Sequence, residues 1–181
     1  SAGTAASSTS MFGSAAGNST VGIFALAIVG ANCCGYIRTQ NRDKYTYSSC
    51  VVANGAAAST PAGEGAATGN STVGIFALGF TSTAVTTRNK YTYSGDTNGG
   101  ATAATAASTN GSAVGNSTVG IFALGYAGGA STTRNKYTYS GDTNAAATAS
   151  SAVSVGGSAA GNSTRGIFQI AGTTTRDKYT Y

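Results

Sequence analysis

The pattern of apolar and polar positions repeats four times along the chain. The phrase GNSTVGIFAL stands at residues 17–26, 69–78 and 115–124, and an altered copy, GNSTRGIFQI, stands at 161–170. Inside the phrase, Val, Ile and Ala alternate with Phe and Leu, so both faces are apolar, as in an inner strand covered on both sides. Each copy therefore predicts a buried β-strand. Its equivalent core residues are predicted to be Phe24, Phe76, Phe122 and Phe168.

A second phrase, RDKYTY or RNKYTY, predicts another strand in each repeat. Its β-branched and aromatic residues favour a strand, in which Arg, Lys and Thr face one way and the intervening Asn or Asp and both Tyr face the other. We call these positions the basic–aromatic ladder. Its members are Arg42, Lys44, Tyr45, Tyr47, Arg88, Lys90, Tyr91, Tyr93, Arg134, Lys136, Tyr137, Tyr139, Arg176, Lys178, Tyr179 and Tyr181.

Turn residues separate these strands. Gly-Asn before the first phrase is typical of a hairpin turn, and it joins the buried strand to a strand of small residues upstream. SGDTN after the second phrase is a Gly/Asp/Asn turn, followed by a weak Ala/Thr strand. No segment has helical periodicity. The pattern predicts an all-β chain with four strands in each repeat.

The spacing of the repeats favours a closed ring. Arg42, Arg88 and Arg134 are 46 residues apart, a period typical of solenoids and propellers. The chain is predicted to be a single repeat domain over residues 1–181, with units near 21–66, 67–112 and 113–158.

The two ends of the chain carry complementary parts of a unit. Residues 1–20 align without a gap to 145–164, with thirteen identities. We therefore expect residues 1–20 to form a half-blade that completes 167–181. Sharing a blade between the termini removes an open edge, so we predict a four-bladed β-propeller rather than a solenoid.

The repeat resembles a kelch-type β-propeller blade. The run GIFALGYAGGASTTRNKYTYSGDTN at 120–144 is similar to the kelch order of apolar strand, glycine, variable loop, Tyr-bearing strand and Asp/Thr/Asn turn. It also resembles repeats in some phage and bacterial surface and fibre proteins. The kelch double glycine is reduced here to Leu78-Gly79, and the late Trp is absent. The resemblance implies a kelch-like propeller.

The basic–aromatic ladder has two possible roles. It holds eight of the ten basic residues and eight of the ten tyrosines. On one surface, such residues would bind nucleic acid or an anionic glycan. Between blades, the arginine stems of one blade would lie on the aromatic rings of the next. Four identical copies favour the second role, because a ring repeats its interfaces, and we expect no nucleic-acid partner.

Sequons and cysteines are the candidate modification sites. Asn-Ser-Thr in an exposed hairpin turn could accept a glycan, or it could be turn chemistry copied with the repeat. The candidate acceptors are Asn18, Asn70, Asn116, Asn162 and Asn110. We predict that Cys50 pairs with Cys33 or Cys34, which requires the long loop to fold back and implies an oxidising compartment.

Catalysis and metal binding have few candidate residues. The chain has no His and only five acidic residues, so no nucleophile–His pair can form and a zinc site lacks ligands. We expect no enzymatic activity, no catalytic residue, no metal and no cofactor. The longest apolar run, Val21–Ala31, is too short to span a bilayer, and we expect no membrane span.

The loop between the second and third strands is the best candidate for ligand binding, because loops on a rigid scaffold carry binding residues. Its candidate residues are Tyr36, Arg38, Phe80 and Tyr126. Two functions compete. One is an extracellular, virion or cell-surface filament subunit that self-associates head to tail or laterally. The other is an adhesin module that binds carbohydrate or another surface through these loops.

Overall fold

The computed structural model of the protein describes residues 4–32 and 35–181. Every regular element in these ranges is a β-strand. The strands form four small antiparallel sheets, arranged as a four-blade β-propeller, and one two-stranded hairpin. None of the described residues belongs to a helix with the length and hydropathy of a membrane-spanning segment. The predicted all-β, four-blade arrangement is therefore confirmed.

Blades 1 and 2 are complete four-stranded sheets. Blade 1 consists of β1 (Ser14–Gly17), β2 (Val21–Ala25), β5 (Arg42–Thr46) and β6 (Val51–Gly55). The hairpin of β3 (Ile28–Asn32) and β4 (Gly35–Arg38) is inserted between β2 and β5. Blade 2 consists of β7 (Ala66–Gly69), β8 (Val73–Ala77), β9 (Arg88–Thr92) and β10 (Thr97–Ala101).

Blades 3 and 4 repeat this order, and blade 4 has three strands. Blade 3 consists of β11 (Ser112–Gly115), β12 (Val119–Ala123), β13 (Arg134–Thr138) and β14 (Thr143–Ala147). Blade 4 consists of β15 (Ser158–Gly161), β16 (Arg165–Gln169) and β17 (Arg176–Thr180).

A shared register gives every blade two distinct faces. In blade 2, Ile75 is opposite Lys90 and Phe76 is opposite Asn89. Because side chains alternate along a strand, Ile75 lies on the face of Arg88 and Lys90. We call this the Ile face and the opposite one, with Phe76, the Phe face, and we use both names for the equivalent positions of every blade.

The Ile faces of blades 1, 2 and 3 each pack on the Phe face of the following blade. Three hydrophobic clusters fill these interfaces, centred on the pairs Ile23 with Phe76, Ile75 with Phe122, and Ile121 with Phe168. Burying such a side chain contributes about 1.5–3 kcal/mol. The first strands β1, β7, β11 and β15 lie side by side in that order, so the core is divided among the blade interfaces.

The end faces of blades 1 and 4 are uncovered in the described structure. Phe76, Phe122 and Phe168 are at most 2 % exposed, as predicted, but Phe24 is 45 % exposed. The prediction of four equivalent core residues is therefore wrong for Phe24, because no described blade covers the Phe face of blade 1. At the other end, Ile167 is 37 % exposed.

The sharing of the last blade between both termini, with residues 1–20 completing 167–181, stays a prediction. Among the described residues, β1 pairs with β2 in blade 1, and β15 fills the first-strand position of blade 4. The Gly-Asn turn explains this pairing, since it joins each small-residue strand to its immediate neighbour at low loop-closure cost. The far edge of β17 has no partner strand among the described residues.

Candidate assembly interface

An arginine from the Ile face enters the next blade at each covered interface. The guanidinium carbon of Arg42 lies 4.5 Å from the ring centre of Phe76. The guanidinium carbon of Arg88 lies 4.4 Å from the ring centre of Phe122. Both arginines are 1 % exposed, and a desolvated cation over an aromatic ring is stabilised by about 2 kcal/mol.

Side-chain amides complete the arginine site. Arg42 donates hydrogen bonds to the Oδ1 atoms of Asn98, at 2.8 Å, and Asn89, at 3.2 Å. Arg88 makes the same two bonds one blade further on, to Asn144 and Asn135. Burial lowers the pKa of both guanidinium groups to about 10. They therefore stay charged at neutral pH, balanced by amide dipoles and aromatic rings.

The third interface replaces the amide with a carboxylate. The guanidinium carbon of Arg134 lies 4.4 Å from the ring centre of Phe168, and its Nη2 lies 2.8 Å from Oδ2 of Asp177. Asp177 also accepts bonds from the backbone amide and hydroxyl of Ser151. Burial alone raises the pKa of Asp177, but the bonds from Ser151, Ser150 and Arg134 outweigh it and lower the pKa to about 2.

Ion pairs also join successive blades, each between a lysine of the second phrase and the aspartate of the SGDTN turn in the next blade. Lys90 Nζ lies 2.9 Å from Oδ2 of Asp142, and Lys44 makes the equivalent pair with Asp96. Both aspartates occupy left-handed positions with φ of 48°, which Asp tolerates better than most residues. These pairs are partly exposed, so each contributes at most about 1 kcal/mol. They nevertheless fix the register of one blade on the next.

The sequon asparagines connect successive blades. Asn70 Oδ1 accepts bonds from its own turn, while its Nδ2 donates to the carbonyl of Ser117 in the next blade at 3.2 Å. The same inter-blade bond runs from Asn18 to Ser71 and from Asn116 to Ser163. Three candidate glycan acceptors thus hold the blades together through the atom that a glycan would modify.

The remaining two sequon asparagines differ. Asn162 Oδ1 closes its own turn in the same way, but the residue is exposed and its Nδ2 has no partner among the described residues. Asn110 takes φ of 53° and donates from Nδ2 to Glu64 at 3.3 Å. Asn162 therefore makes the turn bonds of the other sequon asparagines without their bond to a neighbouring blade.

The Phe face of blade 1 presents a groove beside Asp43. A groove of about 550 Å³ is lined by Phe24, Asp43, Tyr45 and Tyr47, with small residues around them. The Asp43 carboxylate accepts bonds from Ser7, from the amide at 2.8 Å and from the hydroxyl at 2.6 Å. No arginine contacts it among the described residues. Ser7 thus bonds to Asp43 as Ser151 bonds to Asp177, whereas the bond from Ser150 to Asp177 has no counterpart at Asp43 among the described residues.

The Ile face of blade 4 presents an arginine that lies over no aromatic ring among the described residues. Arg176 is exposed, whereas Arg42, Arg88 and Arg134 are at most 3 % exposed. Lys178 is exposed on the same face. Arg165 joins them, at the position that is Val in the other three copies of the phrase. This end of the protein therefore carries three cations around Ile167.

The predicted loop residues divide into two groups. Arg38 lies 4.4 Å from the ring centre of Phe80 and 3.6 Å from a carboxylate oxygen of Glu64, so these loop residues contribute to packing between blades 1 and 2. Tyr36 and Tyr126 are about half exposed, at 56 % and 49 %. These two tyrosines are the candidate binding residues that stay at the surface.

The cysteine prediction falls partly outside the described residues. Cys50 is exposed in the turn between β5 and β6, with φ of 54°, and it pairs with no cysteine among the described residues. Cys33 and Cys34 lie outside the described residues, so the predicted pairing stays a prediction. Within residues 4–32 and 35–181, no cluster of His, Cys, Asp or Glu could hold a metal ion.

Sequence reasoning missed the main partner of the arginines. The sequence places them on aromatic rings of the next blade without naming the ring, and in the structure Arg42 lies closer to Phe76, at 4.5 Å, than to Tyr91, at 5.9 Å. It also gave no role to the Asn or Asp beside them. The available signal was that Asp43 and Asp177 alone replace Asn at this position of the second phrase.

No protein-family model and no curated protein matches the chain.

Proposed function

We propose that the protein is a non-catalytic structural subunit that self-associates head to tail in an extracellular filament or surface appendage. The observation that carries this proposal is the relationship between its two end faces. The Ile face of blade 4 and the Phe face of blade 1 are the two halves of an interface that recurs three times inside the chain, and both are uncovered.

The groove on blade 1 is an uncovered surface that contains aromatic side chains. Monomeric proteins rarely expose contiguous apolar surface beyond a few hundred Å², and larger patches mark interaction sites. The groove on blade 1 contains Phe24 and Tyr47, which are 45 % and 46 % exposed. A second copy that covers it with blade 4 would leave its own groove open. Such a head-to-tail contact extends without closing unless the rotation between copies forms a ring.

Composition supports a structural role. Only 8 % of the residues are charged, and Gly, Ala, Ser and Thr fill the segments between the blade strands. Low charge and small side chains allow close lateral packing of assembled copies. We also propose that the repeat is kelch-like, on the basis of complete four-stranded antiparallel blades with the Tyr-bearing strand third in each.

Assembly can be tested on the purified chain without any partner. Light scattering coupled to size exclusion, over a hundredfold concentration range, should show a mass that rises with concentration. Electron microscopy of the concentrated sample should show linear particles that lengthen by one chain at a time. A single monomeric species across the whole range would contradict the proposal.

A second candidate function is binding of a glycan or another surface through the loops. Tyr36 and Ile37 on the β3–β4 hairpin and Tyr126 on the blade 3 loop are about half exposed, and exposed aromatic side chains suit flat sugar faces. On this account, Tyr36→Ala combined with Tyr126→Ala abolishes binding to a glycan array. Retained binding in that variant would exclude these tyrosines as the binding residues.

A further inference from the structure

We propose that Arg176 of one copy inserts between Phe24 and Asp43 of a second copy. This inference rests on the proposed function and names the contact that makes it specific. It assigns the groove on blade 1 as a receptor for a guanidinium group. It also assigns the occupant, which is the exposed arginine of another molecule of the same chain.

The template for this contact is the interface between blades 3 and 4. There Arg134 lies over Phe168 and forms an ion pair with Asp177, and that carboxylate is oriented by Ser151. In blade 1, Phe24 holds the position of Phe168, and Asp43 holds the position of Asp177. Both pairs are cross-strand neighbours, Phe24 with Asp43 and Phe168 with Asp177.

The acceptor is already organised in the free protein. Ser7 donates two bonds to Asp43 in the pattern that Ser151 makes with Asp177. A carboxylate held in this way needs no rearrangement to receive a cation, so binding loses little conformational entropy. Asp43 is 2 % exposed and lines the groove. A buried carboxylate without a cation partner is costly, and the guanidinium would supply that partner.

The donor is exposed and makes no side-chain hydrogen bond or ion pair with a described residue. Arg176 pairs across the sheet with Gln169, where the other blades have Ala. Gln169 Nε2 donates to the carbonyls of Thr173, at 2.7 Å, and Thr175, at 3.2 Å, in its own loop. The amide is therefore engaged locally, and Arg176 faces the outer side of blade 4 without a described partner.

Residues near Arg176 on blade 4 also have counterparts near the groove on blade 1. Ile167 would pack on Phe24 as Ile121 packs with Phe168. The free Nδ2 of Asn162 would donate to the carbonyl of Ser19, as Asn18 donates to Ser71 one blade further on. The three cations Arg165, Arg176 and Lys178 would face a surface with one carboxylate and the aromatic rings of Phe24, Tyr45 and Tyr47.

Sedimentation equilibrium on the intact chain tests the inference. Arg176→Ala should weaken copy-to-copy association at least roughly tenfold, since a desolvated cation–aromatic contact and an ion pair are lost together. Arg176→Lys should also weaken it, because an ammonium cannot reproduce the planar guanidinium. Lys136→Ala is the control, since Lys136 forms no ion pair among the described residues and should associate like the parent chain.

The outcomes separate this inference from the proposed function. If the parent chain associates and Arg176→Ala has the same dissociation constant, the Arg176 contact is overturned while head-to-tail assembly stands. If the parent chain stays monomeric, both are overturned.

Asp43→Asn provides a second variant that should fold, because Asn135 holds the same position in blade 3 with equivalent bonds to Thr105. It should still associate, but with less sensitivity to salt.

Discussion

Arg134 stacks on Phe168 with its guanidinium carbon 4.4 Å from the ring centre, and the contact joins two successive blades. The same relationship recurs between Arg42 and Phe76 and between Arg88 and Phe122. One cation buried over one aromatic ring is thus the repeated connection of this protein. The chain contains a fourth pair, Arg176 and Phe24, whose members lie at opposite ends of the blade series.

The phenylalanines of the first phrase should differ in their effect on stability. Phe76→Ala should lower the free energy of unfolding by about 3–5 kcal/mol, because Phe76 is 1 % exposed between two blades. Phe24→Ala, at the same position of blade 1, should cost less than about 1 kcal/mol in the monomer. Urea denaturation at low protein concentration measures both values. Equal losses would mean that blade 1 is covered in solution.

Glycine in the first phrase is needed for the close approach of adjacent blades. A Cβ on Gly74 would lie 2.8 Å from the Tyr93 hydroxyl and 3.0 Å from the Ala16 Cβ of the preceding blade. Gly74→Ala should therefore lower the free energy of unfolding by about 1–3 kcal/mol. Gly99→Ala is the matched control, because a Cβ there meets nothing within 4 Å. A thermal melt in which both variants match the parent would show that the blades lie further apart.

Stability should fall at both ends of the pH scale. Hydrogen bonds and Arg134 hold the folded-state pKa of Asp177 at about 2, below its usual 3.8, so its contribution is present above pH 3.8 and is lost as the pH falls towards 2. Burial raises the pKa of Tyr139 from 10 to about 12, so its contribution is lost as the pH rises through that range.

Thermal melts across the pH range would measure the loss of stability at low pH, here called the acid limb, and the loss at high pH. The melting temperature should be nearly constant between about pH 4 and 10. Asp177→Asn should reduce the acid limb, because the amide cannot take up a proton there. An acid limb of unchanged size in that variant would exclude Asp177 as its source.

Cys50 stands at a position where the proposed contact between copies lacks an ion pair. It takes the turn position of Asp96 and Asp142, which pair with Lys44 and Lys90 of the preceding blade. Lys178 of one copy would therefore meet Cys50 of the next one. Cys50→Asp should strengthen association about two- to fivefold, the range for an exposed ion pair. Cys50→Ser, which adds no charge, is the control, and an equal effect of both would contradict this register.

The repeat made much of the fold predictable from sequence. Four copies of two phrases, with alternating apolar positions and Gly-Asn turns, determined the strands and the faces on which Arg88 and Tyr91 lie. The Gly-Asn turn also predicted that each small-residue strand pairs with the buried strand that follows it, as the structure shows. Alignment identifies equivalent strands, but it does not say which neighbours they pair with.

The arginine site was less predictable, because it is formed by residues 34 to 56 positions apart in the chain (Arg42 to Phe76 and to Asn98). A single repeat shows which side chains share a face, yet it gives no offset between neighbouring blades. That offset decides whether an arginine meets the phenylalanine or the tyrosine of the next blade. The exposure of Phe24 and Arg176 likewise depends on blade order, which the identical phrases do not reveal.

Mixing two blocked variants tests the central claim most directly. Phe24→Lys places a cation in the groove of blade 1 and should prevent it from receiving the cationic face of blade 4. Ile167→Lys should block the face of blade 4 while leaving the groove intact. Each variant alone should be monomeric in analytical ultracentrifugation, and an equimolar mixture should form a heterodimer and nothing larger, because only one unblocked pair of faces exists. A mixture that sediments as two monomers, or long polymers from either variant alone, would contradict head-to-tail assembly through these faces.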